Sequence, residues 1–303
     1  MHARNAWFHP RGGLTRNGWE SVVDATLSGW EHTGLRVADL GDRGSRELPA
    51  AGVERIVVPL AGSCEVAWAT ISESGSVALE GRASVFDGPT DVVYLPVGTS
   101  AVLTGHGRIV VAEAPASTQH PLQVIAKHEV PVELRGAGRS SRQVHNFGTP
   151  GRLDAEKLIV CEVITPAENW SSYPAHKHDE HVDAHESRLE EIYYFESDVA
   201  RGLSAPGDAD PFGMFATYTS PAGEIDINAI VRTGDVALVP FGYHGPAVAA
   251  PGYDLYYLNV MAGPDAEREW RISDDPAHAW VRSTWDAQEI DPRLPYAADP
   301  EGR

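Results

Sequence analysis

Apolar residues along this chain come in short runs. Arg55–Leu60, Asp91–Leu95, Arg108–Ala112, Lys157–Ile164 and Tyr256–Met261 are rich in valine, isoleucine, leucine and tyrosine. Glycine (29) and proline (22) break the chain between such runs at short intervals. Brief β-branched runs bounded by turn residues predict strands packed as a sandwich or barrel, an all-β fold. Helical periodicity is scarce, and the pattern predicts only two short helices, near Gly18–Val23 and Asp265–Trp270.

One pattern occurs twice. Asp91 opens an apolar run that ends in Pro96-x-Gly98, and Asp235 opens one that ends in Pro240-x-Gly242, 144 residues later. With 303 residues, this repeat predicts two similar β-domains in tandem. The connection is expected among Pro115, Ser117, Thr118 and Pro121, giving an N-terminal barrel over 1–125 and a second over 126–285. A polar, proline-containing tail, 286–303, is expected to lie on the surface.

Charge narrows the partners. The chain has 24 Lys and Arg against 43 Asp and Glu, a formal net charge of −19. Such a field repels phosphate backbones and anionic lipid, so neither nucleic acid nor a membrane surface is an expected partner. An anionic metabolite then requires local arginine or lysine in its site. The N-terminus has no apolar core segment of the signal-peptide kind, which predicts a cytoplasmic protein. Cys64 and Cys161 sit far apart in apolar runs and read as small core residues on strands.

The chemistry concentrates in the second half. In Tyr173-Pro-Ala-His-Lys-His-Asp, an extended backbone puts His176 and His178 on one face, about 7 Å apart along the strand. Two neutral imidazoles so placed are able to converge on one divalent ion. Leu189–Phe195 is a strand-like run entered through Glu190 and Glu191, and alternation puts Glu191, Tyr193 and Phe195 on one face. Both acids are candidate ligands; Glu191, directly before the apolar run, is the choice, with Glu190 then exposed or just behind the ligands. Pro240-Phe-Gly-Tyr-His adds His244 just after a chain reversal. Three imidazoles and a carboxylate leave coordination positions for water or a substrate oxygen. His181 and His185, in the loop between His178 and Glu191, are alternative ligands. The first half has no equivalent cluster, and its barrel is expected to be metal-free and to serve packing or assembly.

These residues resemble the cupin superfamily, whose first motif carries His-x-His and Glu and whose second carries Gly, Pro-x-Gly and His. Gly234, Pro240, Gly242 and His244 follow the second motif with one residue fewer before the histidine. The first is stretched, with twelve residues between His178 and Glu191. More specifically, several ordered segments resemble the 5-deoxy-glucuronate isomerase family of inositol catabolism. They are residues 84–91, Arg-Gly-Ala-Gly (135–138), Ser-Arg-Gln-Val-His-Asn (141–146), 173–179, 189–194, 240–244 and 256–263. The resemblance spans roughly residues 50–280 and implies a bicupin of tandem double-stranded β-helix barrels. It also implies an aldose–ketose isomerase converting 5-deoxy-D-glucuronate into 5-dehydro-2-deoxy-D-gluconate. Sister enzymes act on 4-deoxy-5-keto-uronate, and a metal-dependent oxygenase is the competing reading of the same ligand set.

Isomerisation moves a proton between adjacent carbons and stabilises an enediolate, which suits a bound divalent metal and one protein base. No redox change is needed, so zinc or manganese is expected. Candidates for the base are Glu191, Asp179 and Tyr193. Arg142 is the first choice for the substrate carboxylate, because a guanidinium pairs with it through two parallel hydrogen bonds. Lys177 ranks lower, since alternation points it away from the two flanking histidines. His145 reads as a satisfied core histidine. Edge strands of tandem barrels allow a homo-oligomer.

Overall fold

The computed structural model describes residues 6–297. Three antiparallel sheets make up the protein. The central one has seven strands in the spatial order Phe8–His9, Val236–Val239, Glu190–Val199, Tyr253–Ala262, Ile159–Thr165, Arg142–Gly148 and Val132–Arg135. Facing it is a sheet ordered Gly223–Val231, Gly213–Ser220, Tyr243–Ala249, His176–Lys177 and Ser273–Asp274. Trp170–Ser171 also pairs with Tyr243–Ala249. These two sheets enclose the second barrel.

The N-terminal half forms one eight-stranded sheet. Its backbone is the pairing of two long strands, Val53–Ala69 and Ser100–Pro115, with a register shift between Pro59 and Ala61. Beyond the proline cluster, Gln123–Ile125 still pairs with Val92–Tyr94 of the N-terminal sheet. One element crosses the other way: Phe8–His9 joins the central sheet beside Val236–Ala237.

Strand periodicity explains how three cores arise from two barrels. Val57, Val93 and Val111 point into the first barrel with Cys64, Val66 and Leu103. Ile56, Val58, Val110 and Ala112 point the other way and meet Val160, Ile192, Tyr194, Leu258 and Val260 from the back of the central sheet. Tyr193, Phe195, Cys161 and Tyr257 alternate into the second barrel. The central strands are therefore buried on both faces, as their continuous apolar runs require.

A polar cluster crosses the interface between the barrels. Arg82 donates two hydrogen bonds of 2.7 Å to the two carboxylate oxygens of Glu162, and both side chains are almost fully buried. Tyr256 Oη and His145 Nδ1 donate to the same carboxylate at 2.7 and 2.6 Å. Gln143 Nε2 faces His145 Nε2 at 2.7 Å, so the donors around the ring assign its proton to Nδ1. His145 is indeed a satisfied core residue.

Neither expected helix forms. Ser21–Val23 is a strand against Leu35–Val37, with Val22 in the first barrel and Val23 in the inter-barrel core. Tertiary pairing overrides a periodicity too short to hold a helix alone. Around Asp265–Trp270 the chain is irregular, because Arg268 spans out to the carbonyls of Gly148, Leu153 and Leu158 at 2.6–2.8 Å. Residues 298–303 of the expected tail lie outside the described residues; within 286–297 most positions are exposed, but Leu294 and Tyr296 are buried, and Tyr296 exchanges backbone hydrogen bonds with the Gln143 amide. Cys64 and Cys161 are buried free thiols on strands, as expected. Among the described residues no helix is long and apolar enough to cross a membrane.

Candidate active site

The site lies between the two sheets of the second barrel. His176 pairs in register with His244 on the neighbouring strand, so both side chains emerge on the same face. His178 follows two residues later, its ring centroid 6.4 Å from that of His176 and 4.6 Å from that of His244. Glu191 reaches in from the central sheet, paired between Val239 and Met261. Its Oε2 lies 3.0 Å from Nε2 of both His178 and His244. Ligand-type atoms of His178, Glu191 and His244 all fall within 4.8 Å of one another. His176 stands at the edge of this group, its ring 4.5 Å from that of His244.

Ring orientation is set from behind. His176 Nδ1 faces the Pro174 carbonyl at 3.2 Å, His178 Nδ1 that of Leu189 at 3.1 Å, and His244 Nδ1 that of Gly242 at 3.2 Å. With each Nδ1 turned to a carbonyl, each Nε2 faces inward, the arrangement of metal-ligating histidines. His244 Nε2 is close to Glu191 but off the direction of a hydrogen bond, and is a buried nitrogen with no donor or acceptor partner. A buried polar atom left so is costly in a folded protein. The site therefore fits a divalent cation, which would satisfy the orphaned nitrogen.

Electrostatics agree. Burial would raise the Glu191 carboxyl, but the neighbouring His244 and His178 imidazoles hold it well below the usual carboxylate range. Burial, reinforced by His244, keeps the His176 imidazole well below its ordinary value, hence neutral.

Beside these groups opens a cavity of about 420 Å³ whose wall includes His176, Glu191, Tyr193, Tyr257, Arg135 and Arg142. Ser172, held at a φ of 45°, places its Oγ 3.2 Å from the hydroxyls of both Tyr193 and Tyr257. Burial pushes both tyrosines up, so they stay protonated and available as donors. Arg142 is 5% exposed, and no carboxylate pairs with it among the described residues. Its one hydrogen bond goes to the Ser140 carbonyl, at 2.9 Å. Burial pushes its guanidinium down to about 10, with Tyr257 opposing the shift and the Arg135 and Arg282 charges adding to it.

The sequence candidates divide. His176, His178, Glu191, His244, Tyr193 and Arg142 meet in one place. Lys177 does not: its Nζ is bound by Asp179, Glu180 and Glu186 at 2.7–2.8 Å, away from the cavity. Asp179 is occupied by the same ammonium, by the Gly242 N–H at 2.8 Å and by the Ser220 hydroxyl. It is a brace between the His-x-His segment and the His244 turn, not a wall of the cavity. His181 is exposed and pairs with Asp183 and Asp265, and His185 is exposed. Glu190 faces the first barrel and accepts from the backbone N–H groups of Glu31 and His32.

Several wall residues escape a sequence reading. Tyr257 and Asn259 were accessible in principle, since alternation along Tyr253–Ala262 puts 257, 259 and 261 on one face. Asp274 and Arg282 lie on segments whose local pattern carries no signal.

Known proteins share this architecture. The KduI/IolB family matches residues 8–281. A 5-deoxy-glucuronate isomerase of Geobacillus thermodenitrificans is 39% identical over 268 residues, covering 86% of this chain and 89% of that protein. The protein of the same name from Bacillus subtilis is 35% identical over 277 residues, 90% of this chain and 96% of its own. Among solved structures, an IolB-like protein from Salmonella typhimurium superposes with a TM-score of 0.79 at 36% identity, over 91% of this chain and 98% of its own. An oxalate decarboxylase variant from Bacillus subtilis, at 11% identity and a TM-score of 0.60, covers 90% of this chain and 80% of its own and shares the fold alone. The fold is thus the tandem cupin, and with a match that runs through both barrels and the whole histidine-bearing site, the chain belongs to the KduI/IolB family.

Proposed function

We propose that this protein is a metal-dependent aldose–ketose isomerase converting 5-deoxy-D-glucuronate into 5-dehydro-2-deoxy-D-gluconate. The observation that carries the reading is the convergence of inward-facing Nε2 atoms and the Glu191 carboxylate beside a cavity that also holds an unpaired, buried Arg142. The relatives named above carry the matching activity in their names. We assign His176, His178, Glu191 and His244 as the residues that would hold the metal. Zinc or manganese suits both this donor set and a reaction without redox change. When bound, the metal supplies positive charge that offsets the negative charge developing on the substrate carbonyl oxygen.

The chain's own residues do the rest. Arg142 takes the substrate carboxylate and so fixes which end of the sugar faces the imidazoles. Glu191 lines the cavity as an anion and accepts the proton from C2. The C2–H electron pair forms the C1–C2 double bond, and the carbonyl pair moves onto O1. Return of that proton to C1, with passage of the O2 hydroxyl proton to O1, gives the ketose. Tyr193 and Tyr257, held by Ser172, donate hydrogen bonds to the substrate oxygens where charge develops.

The test is NMR of metal-loaded protein with 5-deoxy-D-glucuronate. Loss of the aldehyde or hydrate proton with growth of the ketose, abolished in His244→Ala, is the expected result. Deuterium from D2O at C1 of the product supports proton transfer over a hydride shift. No turnover by folded, metal-loaded protein would sink the substrate assignment, and 4-deoxy-5-keto-uronate becomes the next compound.

A further inference from the structure

Arg142 occupies an expensive position. Its partner in the strand ladder is Arg135, so two guanidinium groups stand directly opposite each other, a destabilising arrangement unless something compensates it. Arg135 is compensated by Glu133, which accepts two hydrogen bonds at 2.9 and 2.7 Å. Arg142 is not. It is steadied instead by the C-terminal segment. The indole of Trp285 stacks against the Arg142 guanidinium, with 5.4 Å from Cζ to the ring centroid. Arg282, from the same 3-10 segment Ala279–Ala287, lies 5.3 Å from that centroid and pairs with Asp274 in the cavity wall.

The segment is fastened to the loop that carries Arg142. Gly138 N–H donates to the Glu289 carbonyl at 2.8 Å, and Asp291 N–H to Ser141 Oγ at 3.0 Å. Asn169 ties Ser141 and Asp291 together, at 3.0 and 2.9 Å. The fit is close: a Cβ on Gly138 would fall 2.1 Å from Gln288 Oε1, and one on Gly136 would fall 2.6 Å from Arg142 Nη1. These contacts explain why Arg-Gly-Ala-Gly appears just before the strand of Arg142.

From this geometry we infer that Trp285 is a positioning residue that holds Arg142 toward the cavity, so the C-terminal segment sets the affinity for the substrate's carboxylate end. The inference rests on the proposed uronate reading and deepens it. An aromatic face holds a guanidinium without neutralising it, whereas a carboxylate in the same place would compete with the substrate. The barrel supplies the charge and the segment supplies its aim.

The test compares Trp285→Ala, Trp285→Phe and Arg142→Ala in the full-length, metal-loaded protein. Substrates are 5-deoxy-D-glucuronate and the analogue carrying CH2OH in place of the carboxylate. Trp285→Ala is expected to raise KM for the uronate about tenfold, with kcat falling less than about threefold. KM for the uncharged analogue and metal content should not change. Trp285→Phe should recover most of the lost affinity, which a merely structural loss would not predict. An unchanged uronate KM in Trp285→Ala beside a raised one in Arg142→Ala overturns this inference alone. An equal rise for both substrates overturns it too. Wild-type protein that neither binds a uronate by calorimetry nor turns it over overturns the underlying reading, and this inference with it.

Discussion

Removing Arg82 measures what the buried Arg82–Glu162 ion pair contributes to holding the two barrels together. Arg82 comes from the first sheet and Glu162 from the second, with side chains only 3% and 0% exposed. Arg82→Met fills similar volume but leaves Glu162 with two neutral donors, Tyr256 and His145, and leaves the Gly88 carbonyl without its 2.6 Å partner. Breaking a buried pair from one side costs about 3–5 kcal/mol, because the remaining charge keeps its desolvation penalty. The assay is urea unfolding at pH 7, followed by fluorescence and far-UV circular dichroism together so that barrel-by-barrel unfolding is detected. Adding Glu162→Gln should recover much of the loss, since it removes the stranded charge.

The pH dependence has a definite sign. Burial alone would raise the Glu162 carboxyl, but the Arg82 charge, then hydrogen bonds from His145 and Arg82, bring it down to about 2. A depressed carboxyl stabilises the fold above its unfolded pKa and loses that contribution as pH falls toward the folded value. The wild type should lose this stability between about pH 5 and pH 2. The gap between wild type and Arg82→Met should therefore narrow with acid. A loss below about 1 kcal/mol at pH 7, or no recovery on adding Glu162→Gln, would refute the reasoning.

Other outcomes follow from particular contacts. Gly245 adopts a φ of 97°, and a Cβ there would lie 1.8 Å from the Ser172 carbonyl oxygen. Gly245→Ala should cost more than about 3 kcal/mol and abolish metal uptake by displacing His244; an unshifted thermal melt would contradict this. Lys177→Met strands three carboxylates, so the loop 179–188 should become protease-sensitive with a loss on the order of 3 kcal/mol. Its uronate KM should stay within about twofold of wild type, because the ammonium points away from the cavity; a large rise would restore Lys177 as a substrate contact. Burial pushes the Cys64 thiol up to about 12 and raises Cys161 as well. Native protein should be inert to a thiol reagent and react at both cysteines only once unfolded.

The chain itself determined whatever depends on short-range repetition. Turn residues between β-branched runs specify short strands, and a period of two brings His176 and His178 to one side and sends Lys177 to the other. The same period separates Glu191 from Glu190, one facing the imidazoles and the other the first barrel. The paired Pro-x-Gly turns, closing Val92–Leu95 and Val236–Val239, reveal the tandem arrangement for the same reason. Tertiary structure decided everything that joins distant segments. Alternation says which face a residue occupies, but not which sheet covers that face. Strands buried on both sides therefore gave no hint that Glu162 and Arg82 meet between the barrels. The two expected helices were lost to strand pairing and to the reach of Arg268, neither of which a local window contains. Trp285 and Arg282 lie in a short segment, Ala279–Ala287, that carries no motif, and they acquire a role only because the chain returns to the mouth of the cavity beside Arg142. Face and spacing are local properties of a backbone; what a face meets depends on where the rest of the chain is buried.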